Sequence, residues 1–469
     1  MKKLSKNYKD NVAELDRVLR VDENFDILKK TLSIGQDELT LYYIDGFIKD
    51  AITTKLMLSL VSKKELGDSA REFLESGVPY VETDLTDDME LMIQMVLSGA
   101  ALMIGSTFGE YAIIIDAREY PSRGTEEPQN DRVMRGPRDG FVETLIFNTA
   151  LIRRRVRDTA LTMHYISVGK CSKTDIVVCY LEDRADPKLV ETVKTKLGNI
   201  KTDSLTMGQE SLKECLVKSR WYNPFPKVRF TERPDAAAAQ LFEGGVLVLC
   251  DNSPQVMSLP TTVFSFMQET NDFYFPPLTG TYIRTIRHIV FWLTLFLTPV
   301  WFLLIKNPSF IPGWLSFIIP DEVGKIPIFA QLLLVEFIID GLRMASMNTP
   351  DMLTNSLSVV GALILGDFAV DIGWLIPEVI LYMAFVAISN FTQASYELGY
   401  AFKFFRIALV ILIQLFNIWG FIGGCVGILL LLATNRTVVK GRGYLYPLIP
   451  FNGKALLSLF FRTKKKSNE

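Results

Sequence analysis

The chain has 469 residues, with 50 Lys and Arg against 52 Asp and Glu and a formal net charge of −2. This balance excludes the strongly basic surface of a nucleic-acid binder. Two histidines and five scattered cysteines without a CxxC pair argue against a zinc site and a disulfide framework, and place the soluble part on a reducing, cytoplasmic side.

Charges are dense up to about Arg287 and sparse from there to Asn435, so a soluble half precedes a membrane half. The opening Met1-Lys2-Lys3-Leu4-Ser5-Lys6 has no apolar run behind it, so no signal peptide is expected and the N-terminal half is expected in the cytoplasm. Residues 39–48 read as a strand, 51–63 as an amphipathic helix, 91–101 as a helix broken by Gly105 and Gly109, and 111–116 as a buried strand. Residues 141–155 read as a helix ending in Arg153, Arg154 and Arg155, where the dipole favours positive charge. Such a run reads first as a solvated helix end, with contact to anionic headgroups or a partner as the alternative.

A second round follows, with strands at 175–181, 246–251 and 255–259 and helices at 187–197 and 212–217. Residues 97–102 with 111–115 echo 242–247 with 255–259. The expected fold class is therefore an α/β soluble N-terminal half of two related lobes plus an all-α multi-span transmembrane C-terminal half. The expected bounds are 1–160 for the first lobe and connecting helix, 161–280 for the second lobe, 281–435 for a transmembrane domain of about five to six segments, and 436–469 for a basic tail.

The first membrane segment is 289–305, with Arg284 and Arg287 ahead of it favouring a cytoplasmic start. The second, 326–347, carries Glu336, Asp340 and Arg343 at spacings of four and three, which put all three on one helix face. They read either as a polar lining or intersubunit contact, or as an intrahelical pair near a helix end. The third, 357–375, contains Ser358, Gly361, Ala362, Leu365 and Gly366, small or apolar positions that suit a pore lining or a tight packing face, and ends in Asp367 and Asp371. A ring of such carboxylates would attract cations, and residues 359–365 suit a hydrophobic gate. The fourth, 377–391, starts at Pro377 and forms a hairpin with the third. Residues 406–434, interrupted by Gly420, Gly423 and Gly424, read as one tilted helix or two short segments. The basic residues that follow belong in the cytoplasm, which requires either a hairpin here or a dip of 309–320 into the interface.

No enzyme signature survives inspection, and no cofactor or metal is expected. Gly169-Lys170 fails as a phosphate loop because His164 stands where the first glycine belongs and Cys171 replaces Ser or Thr. There is no GxSxG elbow, and no GxGxxG follows a strand.

Three ordered patterns carry a family resemblance: Arg135-Gly136-Pro137-Arg138-Asp139-Gly140-Phe141 with the arginine triplet downstream; Thr231-Glu232-Arg233-Pro234-Asp235 with Glu243-Gly244, Ser253-Pro254 and Leu259-Pro260-Thr261-Thr262; and Ser395-Tyr396-Glu397-Leu398. Over residues 25–450 the chain resembles the A subunits of the GerA family of spore germination proteins. Residues 330–346, 348–350, 365–370 and 377–381 resemble most the branch encoded with the dipicolinate-release proteins, and the long N-terminal extension common in receptor A subunits is absent. The resemblance implies a multi-pass protein of the spore inner membrane with its soluble lobes on the core side. It implies a ring homo-oligomer such as a pentamer around an ion-conducting pore, a small membrane partner protein, and contact with germinant receptors or dipicolinate-release proteins. The function it implies is an oligomeric cation channel that releases ions and amplifies germination; the alternatives are a nutrient-receptor A subunit working with B and C subunits, or a non-conducting scaffold.

Overall fold

The structure is a computed structural model that describes residues 3–48, 50–78, 80, 82–120, 133–218, 220–320, 324–348, 368–435, 437–438 and 443–462. It divides into two compact units: Met1–Lys218 with Val228–Thr261 and Val438–Lys440, and Ser219–Lys227 with Thr262–Thr437 and Gly441–Glu469.

The first unit holds two five-stranded antiparallel sheets. One contains β1 (Ile27–Ile34), β2 (Asp37–Ile44), β3 (Thr83–Thr86), β4 (Ala101–Gly105) and β5 (Ala112–Ile115); the other contains β6 (Leu161–Val168), β7 (Thr174–Leu181), β8 (Arg229–Thr231), β9 (Val246–Cys250) and β10 (Val256–Leu259). The orders are β1-β2-β4-β5-β3 and β6-β7-β9-β10-β8, so each sheet places its first, second, fourth, fifth and third strands side by side. In each, a helix (Met89–Leu97 or Pro234–Phe242) leads into the last two strands, the arrangement behind the echo between 97–115 and 242–259. The central strands β4, β5, β9 and β10 are wholly buried, as continuous apolar runs require. The 91–101 expectation ran a helix into a strand: the chain turns after Leu97, where Gly99 sits at φ +103, and Ala101–Gly105 pairs with β2 and β5.

The arginine triplet is a solvated helix end only in part, at Arg154. Arg153 is fully buried and clasps Asp26, with Nε to Oδ2 at 2.8 Å and Nη2 to Oδ1 at 3.0 Å. It also donates to the Asn24 side chain and to the Leu161 carbonyl, while Asn24 accepts the Met163 N–H, so one guanidinium ties the approach to β1 to the start of β6. Arg154 stacks on Tyr120, and Arg155 pairs with Asp139. Two of the three family patterns meet in space here. Arg233, also fully buried, holds Asp235 in a bidentate pair and donates to the Pro137 carbonyl, and the Phe141 N–H donates to the Glu232 carbonyl. The five cysteines are free thiols; burial pushes Cys179 up and Cys250 to about 12, so neither ionises near neutral pH.

The second unit is helical. Two of its helices, Pro277–Lys306 and Tyr396–Thr434, are long and apolar enough to cross a membrane, and Pro377–Phe391 is apolar but shorter. Ile328–Asn348 is the charged helix. Residues 309–320 form two short 3-10 turns, Pro308–Phe310 and Gly313–Ile318, with Phe310, Trp314 and Phe317 exposed.

The last apolar stretch is a hairpin rather than one rod. Asn417 leaves helical geometry at φ 54, ψ −128. A side chain at Gly420 would collide with the Leu412 carbonyl, and one at Gly424 with the Leu409 side chain. In a straight helix the first pair would lie roughly 12 Å apart along the axis and the second roughly 22 Å. The chain therefore turns back at Asn417 and packs 418–434 antiparallel to 396–416, arms of roughly 25 and 30 Å at helical rise. Lys306 Nζ donates to the carbonyls of Ile413 and Gln414 beside the reversal, and Asn307 and Asn417 exchange amide hydrogen bonds at 2.6 and 2.9 Å.

Candidate functional site: a buried charge network among apolar helices

Four ionisable side chains converge in the second unit from two helices. Glu336 and Asp340 come from Ile328–Asn348, and Lys403 and Arg406 from the first arm of the hairpin. Arg406 Nε donates to Glu336 Oε1 at 2.5 Å and its Nη1 to the Thr294 carbonyl at 2.6 Å, which brings in the Pro277–Lys306 helix. Lys403 Nζ lies 3.7 Å from Glu336 Oε2, donates to the Glu336 carbonyl at 3.4 Å, and contacts the Asp340 carboxylate. Gln393 donates to the Thr294 hydroxyl at 3.0 Å. Glu336, Lys403 and Arg406 are 6%, 5% and 2% exposed, so the pairing happens away from water.

The geometry follows from helical spacing. Glu336 and Asp340 stand four apart and Lys403 and Arg406 three apart, so each helix presents two like charges on one face, and the faces meet as a neutral quartet. Thr294 lies five residues into the apolar run that begins at Ile289, roughly 7 Å inside it at helical rise. Charges at that depth are tolerated only when paired and hydrogen-bonded, as these are.

The intrahelical reading of the Glu336, Asp340 and Arg343 face is revised. Asp340 pairs with Lys403 on another helix rather than with Arg343, and the contact lies within one chain. Arg343 instead sits over three rings, 5.4 Å from Phe391, 5.1 Å from Tyr396 and 5.0 Å from Tyr400. A cleft beside the quartet is lined by Ile339, Val386, Ala387 and Asn390 as well as by the charged residues. Lys403 and Arg406 were missed from sequence. The signal was present: two basic residues at helical spacing inside an apolar stretch, complementary to the two acids of another.

The pore candidates Ser358, Gly361, Ala362, Leu365, Gly366 and Asp367 lie outside the described residues. Asp371 ends the short helix Ala369–Asp371 and is exposed; next to it, Lys325 Nζ donates to the Ile372 carbonyl at 2.7 Å.

Antiparallel sheets in one unit and apolar helices braced by an internal charge network in the other define a two-part protein, one part with helices long and apolar enough to cross a membrane. A family model described as the Bacillus/Clostridium GerA spore germination protein matches residues 15–469, and the chain belongs to that family. It is 40% identical over 446 residues to "Stage V sporulation protein AF" of Bacillus subtilis (strain 168), covering 94% of this chain and 90% of that one, which agrees with the branch its motifs resemble. It is 26% identical to "Spore germination protein KA" of the same organism, covering 98% of this chain and 85% of the relative. A solved structure, the N-terminal domain of the A subunit of the Bacillus megaterium spore germinant receptor GerK3, aligns with 55% of this chain and 96% of its own at 22% identity and a TM-score of 0.41. These relatives are germination and sporulation proteins, not known enzymes, and with the two apolar helices they point to a spore membrane protein.

Proposed function

We propose that the chain is the pore-forming subunit of a homo-oligomeric, cation-permeable channel of the spore inner membrane, releasing ions and amplifying germination. The observation that supports this reading is the charge quartet. It ties the Ile328–Asn348 helix to the first arm of the hairpin without leaving a net charge in the apolar layer, as a helical frame around a pore-lining segment would require. Ser358, Gly361, Ala362, Leu365 and Gly366 form the lining on this reading, and Asp367 and Asp371 the cation-attracting mouth. Residues 1–160 and 161–280 act as two related soluble lobes on the core side, a pairing favoured by their common strand order; 281–435 is the multi-span domain and 436–469 a basic tail. A small membrane partner, or dipicolinate-release proteins and germinant receptors, complete the assembly.

A second reading, a receptor A subunit that needs B and C subunits, is favoured by the 26% identity to the KA germination protein across nearly the whole chain. Co-purification from spores separates the two, since only the second requires B and C partners for assembly.

Replacing Leu363 or Leu365 with Ser should wet a gate that closes by excluding water, giving spores that lose ions or fail to stay dormant. Normal dormancy across a well-expressed series of such variants counts against the pore assignment.

A further inference from the structure

The segment after the hairpin does more than carry basic charge. Tyr444 is buried and donates its hydroxyl hydrogen to the Pro226 carbonyl at 2.7 Å, which fixes where the segment starts. The helix Gly453–Phe460 then lies along the foot of Pro277–Lys306. Arg284 Nη1 donates to the Ser458 carbonyl at 2.8 Å, the Arg462 N–H to the Thr281 hydroxyl at 3.2 Å, and the Phe460 ring packs 4.6 Å from that of His288. These contacts fall at residues 281–288, immediately before the apolar run begins at Ile289. Arg284 stands roughly 7 Å short of that run at helical rise. The headgroup layer on each side of a bilayer core is of the same thickness, about 5–7 Å.

At this level the segment exposes large apolar side chains: Ile449 at 61%, Phe451 at 75%, Leu457 at 61% and Phe461 at 55%. Water is a poor environment for such a patch, and a headgroup–acyl boundary is a good one. Basic residues accompany it in the sequence. Lys454 is exposed, Arg462 closes the described segment, and the sequence continues with Lys464, Lys465 and Lys466. In addition, Arg284 Nη2 and Arg462 Nη1 are buried without a hydrogen-bond partner among the described residues. These atoms are closed to solvent and Arg284 is paired with Asp272 at 3.4 Å, so exposed Lys454 and half-buried Arg462 are the groups that face a lipid phosphate.

We infer that residues 446–462 form an in-plane anchor that seats this chain on anionic phospholipid headgroups beside the first long helix. The inference rests on the membrane reading of the two apolar helices, and its test separates the two.

Full-length protein with Cys171→Ser and Cys215→Ser is spin-labelled at Phe451→Cys, at Leu457→Cys or at Trp292→Cys, the last lying in the apolar run. Each is reconstituted in vesicles of phosphatidylcholine alone or with phosphatidylglycerol and compared with the parent for background. The labels at 451, 457 and 292 are expected to be more accessible to oxygen than to a water-soluble nickel chelate. Replacing Lys454, Lys464, Lys465 and Lys466 by Gln should shift 451 and 457 toward water in the anionic vesicles and leave 292 unchanged. Water-accessible labels at 451 and 457 beside a lipid-exposed 292 overturn the anchor and leave the membrane reading intact. A water-accessible 292 overturns the membrane reading itself. Labels at 451 and 457 shielded from both reagents place the patch against protein, such as a second copy, and overturn the lipid assignment, as does indifference to both phosphatidylglycerol and the lysine replacements.

Discussion

Arg406→Met should cost about 3–5 kcal/mol of stability, the penalty for leaving a buried carboxylate without its partner. Glu336 would lose its closest donor at 2.5 Å and keep only Lys403 at 3.7 Å, which Asp340 also engages. The Thr294 carbonyl would lose its guanidinium as well, loosening the contact among three helices. Glu336→Met alone should be comparably damaging, because Arg406 would then be a buried cation facing only a carbonyl. The double variant Glu336→Met/Arg406→Met removes both charges and should regain most of the loss, since replacing a buried pair by apolar groups is often neutral or stabilising. Thermal unfolding of purified protein in detergent, read as a double-mutant cycle, measures this. Additive losses across the cycle would mean that the two side chains do not depend on each other and that the quartet does not brace the unit.

Arg153→Met should have an effect of the same size in the first unit, about 3–5 kcal/mol. Asp26 is 2% exposed and both of its carboxylate oxygens accept from this guanidinium, so the substitution strands a charge in the core. The neighbouring Arg154→Ala is the control. Arg154 contributes a ring contact with Tyr120, worth about 0.5–1 kcal/mol at an accessible site. Urea unfolding followed by fluorescence should separate the two variants clearly. If Arg153→Met is as mild as Arg154→Ala, the buried clasp is not what joins the approach to β1 with β6.

The sequence was most legible where burial is one-sided or complete. The runs that became β5, β7, β9 and β10 are continuous or nearly continuous apolar stretches, and Pro377 marked a helix start at the residue where the helix begins. Most missed strands are of a different kind, with buried β4, absorbed into the expected helix, the exception. β1 reads Ile-Leu-Lys-Lys-Thr-Leu-Ser-Ile and lies at a sheet edge with its middle exposed, β6 edges the other sheet, and β3 and β8 are edge strands of four and three residues. Edge strands need little apolar surface, and their partners lie far along the chain, so local pattern says little about them. Arg153, Arg154 and Arg155 illustrate the same limit: three identical neighbours meet a buried carboxylate, an aromatic ring and a half-exposed carboxylate, and only tertiary structure assigns them.

In the membrane half the acids of Ile328–Asn348 were visible as an anomaly, but their partners lie 63 to 70 residues away (403 − 340 and 406 − 336), beyond the reach of local pattern. The reversal of the last stretch was one of two readings the glycines left open. The turn itself falls at Asn417, three residues before Gly420, and is held by Lys306 and Asn307 from the first long helix. Gly420 and Gly424 serve the close approach of the two arms instead.

Ionic current from purified, reconstituted full-length protein tests the channel reading most directly, recorded alone and with candidate partners beside an Asp367→Asn/Asp371→Asn variant. The account predicts a cation current that the two substitutions weaken, because they remove the carboxylates proposed to concentrate cations at the mouth. Silence under every condition, from protein shown to be folded and oligomeric, would contradict it and leave the scaffold reading in its place.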